Sequence, residues 1–190
     1  MKKLTMDELH RISVEEYRQA QKTPIVVVLD NVRSMNNIGS VFRTADAFRI
    51  EKIYLCGITA TPPHRDIHKT ALGAENSVEW EYVEDTLHCV ERLKSDGFGV
   101  FAVEQVEGSV MLHDFAPDGR KTAVVFGNEI EGVAQEVVDV CHGCIEVPQY
   151  GTKHSLNVSV TAGIVMWDIF LKIKLLKFDK LNHAHSLRQL

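Results

Sequence analysis

The chain has 190 residues, 45% of them hydrophobic and 25% charged, with a formal net charge of −5; this is ordinary usage for one globular domain with its own core. The acidic balance argues against wholesale non-specific nucleic-acid binding, while leaving room for a local basic patch. The N-terminal MKKLTMDELHRI lacks a signal-peptide apolar segment, and the most apolar run, AGIVMWDIFLKIKLL, is broken by Asp168, Lys172 and Lys174, so a cytoplasmic protein with no membrane span is expected.

In chain order, residues 5–21 read as helical. Thr5 with Glu8 and Ser13 with Glu16 have capping-box spacing, which suggests two short helices. PIVVVLD, opened by Pro24, is a β-branched run of the kind buried on both faces of a parallel sheet. NNIGSVFRTADAF then has helical spacing over about residues 38–49, with Ile38, Val41, Phe42, Ala45 and Phe48 on one stripe and Asn36, Ser40 and Arg43 on another. KIYLCGI reads as a strand, TATPPHRDIHKT as a Pro-rich loop, and SVEWEYV as a strand. TLHCVERLKSDG is a helix closed by Gly97. FGVFAVE and TAVVFG are strands, VAQEVVDVC a helix, and CIEVPQ a last strand. A long helix is expected from about Ser155 to about Leu176, before a polar, loosely held tail, DKLNHAHSLRQL. Strands alternate with helices, so the class is α/β, with a mostly parallel sheet of about six strands and helices on both faces. One domain spans residues 1–190, with an N-terminal helical extension over 1–22 and a C-terminal extension over 171–190.

Ligands of such sheets bind beyond the carboxyl ends of the strands. Three of those ends carry polar and glycine-rich loops: DNVRSMNNIGSVFR, FGNEIEG and PQYGTKHSLNVS. Loops meeting at one edge would make one pocket. Each has a purely structural reading as well. Gly39 can let its helix pack closely on the sheet, Glu129 and Glu131 suit a helix start, Arg43 suits a solvated surface, and Ser155 suits an N-cap. Asn157, placed inside the first turn of the last helix, is a poor helix former and calls for another use. There is no P-loop and no dinucleotide fingerprint. Cys141 and Cys144 form a lone C-x-x-C without the partners a structural zinc needs, so no metal is expected, and with Cys56 and Cys89 they are expected to be free thiols. His154 beside Ser155 has no acid to complete a triad.

At these three loops the sequence resembles the SpoU, or TrmH-like, RNA 2′-O-ribose methyltransferases of the SPOUT superfamily. The first motif is matched by Asn37, Gly39 and Arg43; the second by Gly127, Glu129 and Gly132; the third by Val147 and Pro148 followed by Ser155, Leu156, Asn157, Val158 and Ser159. Order and spacing agree over residues 24–170. Val147 replaces the usual Ile, and QYGTKH is more polar than usual. The resemblance implies S-adenosylmethionine as methyl donor, a deep C-terminal trefoil knot and a homodimer. It implies cofactor contacts from Val103, Gly127, Val147 and Leu156, and catalytic roles for Arg43, Asn37, Glu129, Ser155 and Asn157. Pattern alone would give an open doubly wound sheet, because knots are nearly absent from chain topologies.

A guanidinium has no lone pair to accept a proton, so Arg43 is expected to anchor a phosphate and stabilise alkoxide charge rather than act as an ordinary base. Ser155 and Asn157 are expected to position Arg43 or the ribose, and Glu129 to hold Asn37 or complement the sulfonium. Arg33, Arg43, Arg65, Lys69 and Lys153, with His64 and His68, are the expected RNA-binding cations. The short terminal extensions favour tRNA over rRNA. The long helix has apolar residues on more than one face, with Ile164, Trp167 and Leu171 opposed to Val165, Ile169 and Ile173, as a dimer contact would require. Alternatives are a SPOUT base methyltransferase, a non-catalytic RNA-binding relative and a small-molecule oxidoreductase.

Overall fold

The computed structural model describes residues 1–5 and 7–186, with side chains through residue 175. Seven parallel strands form one sheet: β1 (Thr23–Asp30), β2 (Ile50–Cys56), β3 (Trp80–Val83), β4 (Gly99–Val103), β5 (Val110–Met111), β6 (Thr122–Phe126) and β7 (Gly143–Glu146), in the order β3-β2-β1-β6-β4-β7-β5. The Val- and Ile-rich β1 and β6 lie at its centre and are buried on both faces, as the unbroken apolar runs predict. Successive side chains feed two cores: Ile25, Val27 and Leu29 point into one, Val26 and Val28 into the other, as the period of two requires.

The first core is covered by α2 (Met35–Ala47) and α7 (Val158–Ser186), the second by α5 (Thr86–Ser95) and α6 (Gln135–Val140). Helix α2 is capped by Ser34, whose side chain accepts the Asn37 amide, and buries Ile38, Val41, Phe42 and Ala45. Helix α7 buries Ala162, Val165, Met166, Ile169 and Ile173, and Phe48 meets Trp167 and Phe170, each at 5.4 Å between ring centroids. Its opposite face leaves Val160, Ile164, Trp167, Leu171 and Leu175 exposed, three or four residues apart.

Four details differ from the sequence expectation. The extra strand, β5, is two residues long, too short for a periodic signal. The segment read as a Pro-rich loop folds from Arg65 onward into α3 (Arg65–Ala71), followed by α4 (Ala74–Ser77). The helix start is hidden because its cap is a histidine: His64 Nδ1 accepts the Asp66 amide at 3.2 Å, in place of the usual Ser, Thr, Asp or Asn. Ser155 does not cap the last helix; Asn157 does, with its Oδ1 accepting the Ser159 amide at 2.9 Å. Finally, α7 runs to Ser186, well past residue 176 and into the segment expected to be a loose tail; side chains beyond residue 175, and residues 187–190 of that tail, lie outside the described residues. At the N-terminus the Ser13–Glu16 capping box opens α1 (Val14–Gln19), and Thr5 with Glu8 brackets a 3-10 turn at Asp7–Leu9.

Gly39 sets the distance between α2 and α3 rather than that between helix and sheet. A Cβ there would lie 2.2 Å from both the Ile67 carbonyl oxygen and Thr70 Oγ1. Gly39→Ala is therefore expected to push the helices apart and cost about 1–3 kcal/mol, read as a lowered urea midpoint; an unchanged midpoint would show that the pair is not packed this closely.

Candidate active site

The carboxyl ends of β1, β6 and β7 open onto three loops, and a chain of side-chain hydrogen bonds ties them together. Glu129, in the loop after β6, accepts the amides of Arg33 and Ser34, each at 2.9 Å, and the Asn37 side-chain nitrogen at 3.1 Å. Asn37 in turn accepts Asn157 Nδ2 at 3.2 Å. Asn157 caps α7 through its oxygen while its nitrogen reaches Asn37. An asparagine at this position is thus favoured by the helix start and also free to bridge, so its low helix propensity costs nothing. Burial alone would raise the Glu129 carboxyl, but the Arg33 and Ser34 amides and the Asn37 side chain outweigh it and hold it below the usual glutamate range. Glu129 is accordingly an anionic clamp on the N-terminal end of α2.

Behind this clamp lie residues that motif reading missed. Asn128 closes the β6 loop: its backbone exchanges two 2.9 Å bonds with Gly132, its Oδ1 accepts the Ile130 amide, and its Nδ2 donates to the Asn31 carbonyl. Glu104, at the end of β4, accepts the Val133 amide at 3.0 Å, and buried Asp30 accepts the Ala134 amide and the Thr86 hydroxyl. Acids at strand ends were the available signal for both. The glycines of the second motif are steric requirements. A Cβ at Gly127 would lie 2.0 Å from the Gly132 carbonyl carbon, and Gly132 sits at φ +72°, where a Cβ would lie 2.1 Å from Glu104 Oε2.

Beside the clamp is a cavity of about 480 Å³ whose lining includes Phe126, Ile145 and Val147. All four residues expected to hold a cofactor, Val103, Gly127, Val147 and Leu156, line it, as do Glu129, Ser155 and Asn157. Ser155 is exposed and, among the described residues, makes no hydrogen bond. Asn37 and Arg43 do not line the cavity. Arg43 is exposed on α2, six residues beyond Asn37, without an ion pair or hydrogen bond among the described residues; neither Ser155 nor Asn157 reaches it. Of the remaining expected cations, Arg33 flanks the Glu129 clamp, Lys153 is on the loop after β7, and Arg65 and Lys69 are exposed on α3, which packs on α2. His68 is engaged by Glu75 at 2.5 Å. Cys141 and Cys144 are free thiols, and burial pushes Cys141 up to about 12.

The model of the SpoU rRNA Methylase family matches residues 24–167. The chain belongs to this family. A Staphylococcus haemolyticus protein named for the TrmH family of tRNA/rRNA methyltransferases is 29% identical over 162 residues, which is 83% of this chain and 64% of that protein. The tRNA (guanosine(18)-2′-O)-methyltransferase of Aquifex aeolicus is 29% identical over 82% of this chain and 72% of its own. The 23S rRNA (guanosine-2′-O-)-methyltransferase RlmB of Neisseria meningitidis is 29% identical over 75% and 56%. The chain thus spans under two thirds of two of these three SpoU relatives. Among solved structures, the A. aeolicus TrmH/SpoU tRNA modifying enzyme superposes with a TM-score of 0.77 at 25% identity, covering 86% of this chain and 84% of that one. An AdoMet-bound rRNA methyltransferase from Sinorhizobium meliloti gives 0.72 at 26% identity, covering 80% and 58%.

Proposed function

We propose that the protein is an S-adenosylmethionine-dependent RNA methyltransferase acting on a ribose 2′-hydroxyl, in the cytoplasm, with tRNA favoured over rRNA. The observation that carries this reading is the Glu129–Asn37–Asn157 chain, which joins all three family motifs beside the cavity. The cavity suits the cofactor. Phe126, Ile145 and Val147 give it apolar lining for an adenine ring, and among the described residues no backbone amide from Gln149 to Leu156 donates a hydrogen bond, leaving donors for a nucleoside. Val103, Gly127, Val147 and Leu156 would hold the group, which when bound supplies an activated methyl. Asn157 lines the cavity and bonds Asn37 on α2; further along α2, Arg43 would grip the phosphate next to the target ribose and neutralise the developing alkoxide, with a non-bridging oxygen of that phosphate accepting the 2′ proton. Glu129 fixes Asn37, and positioning of this kind supplies several kcal/mol of a barrier. Ser155, free of other bonds, is available to the ribose.

One 2′-deoxy substitution at the target nucleotide is expected to end turnover while RNA binding falls only modestly, since affinity is spread over many phosphates. Methyl incorporation from radiolabelled cofactor into the deoxy RNA would overturn the ribose assignment in favour of a base methyltransferase. Cofactor binding itself is expected to raise the melting temperature as RT ln(1 + [L]/Kd); a shift with NAD and none with S-adenosylmethionine would refute the cofactor.

The exposed α7 face supports a homodimer: Val160, Ile164, Trp167, Leu171 and Leu175 form a stripe too apolar for solvent. Light scattering should give about twice the 21.4 kDa chain mass, and Trp167→Glu should restore the monomer; a wild-type monomer at micromolar concentration contradicts this. The knot also belongs to the proposal, supported by the strand order, in which β7 enters the sheet between the earlier strands β4 and β5.

A further inference from the structure

Away from the active-site cavity, on the β3 edge of the sheet, a groove runs past Trp80. It consists of two adjoining depressions of about 490 and 560 Å³ that share Glu75, Asn76 and Trp80. Arg18 and Lys22 line one side, His64, Arg65 and His68 the other. The feature that marks it as more than surface relief is Glu75. Its side chain is only 8% exposed; Oε1 is held by His68 Nδ1 at 2.5 Å, but Oε2 is buried and has no hydrogen-bond partner among the described residues. Burial would raise this carboxyl, yet the His68 contact and the Glu75 and Gly73 amides keep it below the usual range. A buried charged acceptor left open is costly unless a donor arrives from outside.

The groove combines a half-buried indole, that open acceptor and two cations. Arg65 has no ion-pair partner among the described residues, and Arg18 spends one donor on the Asn76 carbonyl at 2.8 Å. Glu79, which also lines it, is neutralised by Lys52 at 2.6 Å. An aromatic face, a hydrogen-bond acceptor for a base edge and a guanidinium for phosphate are the elements of single-stranded nucleotide recognition. The groove is also mechanically joined to the active site. Arg65 and His68 occupy one face of α3, while Ile67, Thr70 and Ala71 on the other face press against Gly39, and Thr70 Oγ1 donates to the Asn36 carbonyl at 2.9 Å.

We propose that this groove binds one unpaired nucleotide of the RNA substrate, its base lying against Trp80 and donating an N–H to Glu75 Oε2, with a flanking phosphate on Arg65. The inference rests on the RNA-methyltransferase reading above and adds a second RNA contact outside the methyl-transfer centre. It is tested by RNA binding rather than by turnover. The chain has two tryptophans, so Trp167→Phe leaves Trp80 as the only one, and its fluorescence is expected to be quenched by short single-stranded RNA of mixed sequence but not by the same sequence as duplex. Filter binding should show Glu75→Gln and Trp80→Leu each weakened about tenfold, and the exposed Arg65→Ala, which carries no folding risk, weakened several-fold. The melting shift with S-adenosylmethionine should persist in all three. Unquenched Trp80 together with wild-type affinity in Glu75→Gln and Arg65→Ala overturns the subsite and leaves the active-site reading standing. No RNA binding by the wild type overturns both. The four ribonucleoside 5′-monophosphates should bind far more weakly than the oligonucleotides; equal affinity would make this a free-nucleotide site instead.

Discussion

Arg43→Ala is expected to lower methyl transfer by roughly 10³-fold, at the upper end of what one charge-stabilising donor supplies to a transition state. Cofactor affinity should be unchanged, because Arg43 does not line the cavity. Stability should change by no more than about 0.5 kcal/mol, as for other exposed substitutions, since the side chain has no partner among the described residues to lose. This separation of turnover from fold and cofactor is what distinguishes an acceptor-side arginine from a structural one. Arg43→Lys should remain badly impaired, because an ammonium cannot reproduce a planar two-donor contact with phosphate. Full activity in the lysine variant would mean that a point charge suffices.

Glu129→Ala is expected to act on both activity and stability. The substitution strands the Arg33 and Ser34 amides and releases Asn37, for a cost of about 1–3 kcal/mol. Because Asn37 is the link to Asn157, the loops should lose register and turnover should fall roughly 10²-fold, the scale of a misplacement near 1 Å. The pH dependence carries the sign of a depressed carboxyl. Its contribution is present above the ordinary glutamate range and is lost as pH falls through the lower folded value. Melting temperatures of wild type and Glu129→Gln should therefore differ at neutral pH and converge in acid; a constant difference would show that Glu129 is not held by these amides in solution.

The sheet was legible because β1 carries an unbroken β-branched run, Ile25 to Val28, and β6 is a short apolar one, a pattern that little else explains. The polar loops at their ends were legible for the same reason: amides and glycines have no place in a core. What escaped is instructive. Helix α3 was hidden behind two prolines and a histidine cap. The true cap of α7, Asn157, was misread because Ser155 has the better-known capping preference, while the side chain that bridges to Asn37 also closes the helix. Glu104 and Asp30 were passed over because their task, holding the Val133 and Ala134 amides, is invisible until the β6 loop has a shape. The two-residue β5 offers no pattern at all.

The Glu129–Asn37 and Asn37–Asn157 contacts span 92 and 120 residues. The site is therefore completed late, only once the chain has reached Asn157. During synthesis, β1 and α2 leave the ribosome with Asn37 but without Glu129 or Asn157 to hold it. Loop closures this long are slow to form, and chains truncated ahead of Asn157 would lack the bridge to Asn37. Such fragments would also lack α7, whose Ala162, Val165, Met166, Ile169 and Ile173 cover the first core, so the site and one face of the sheet are completed together.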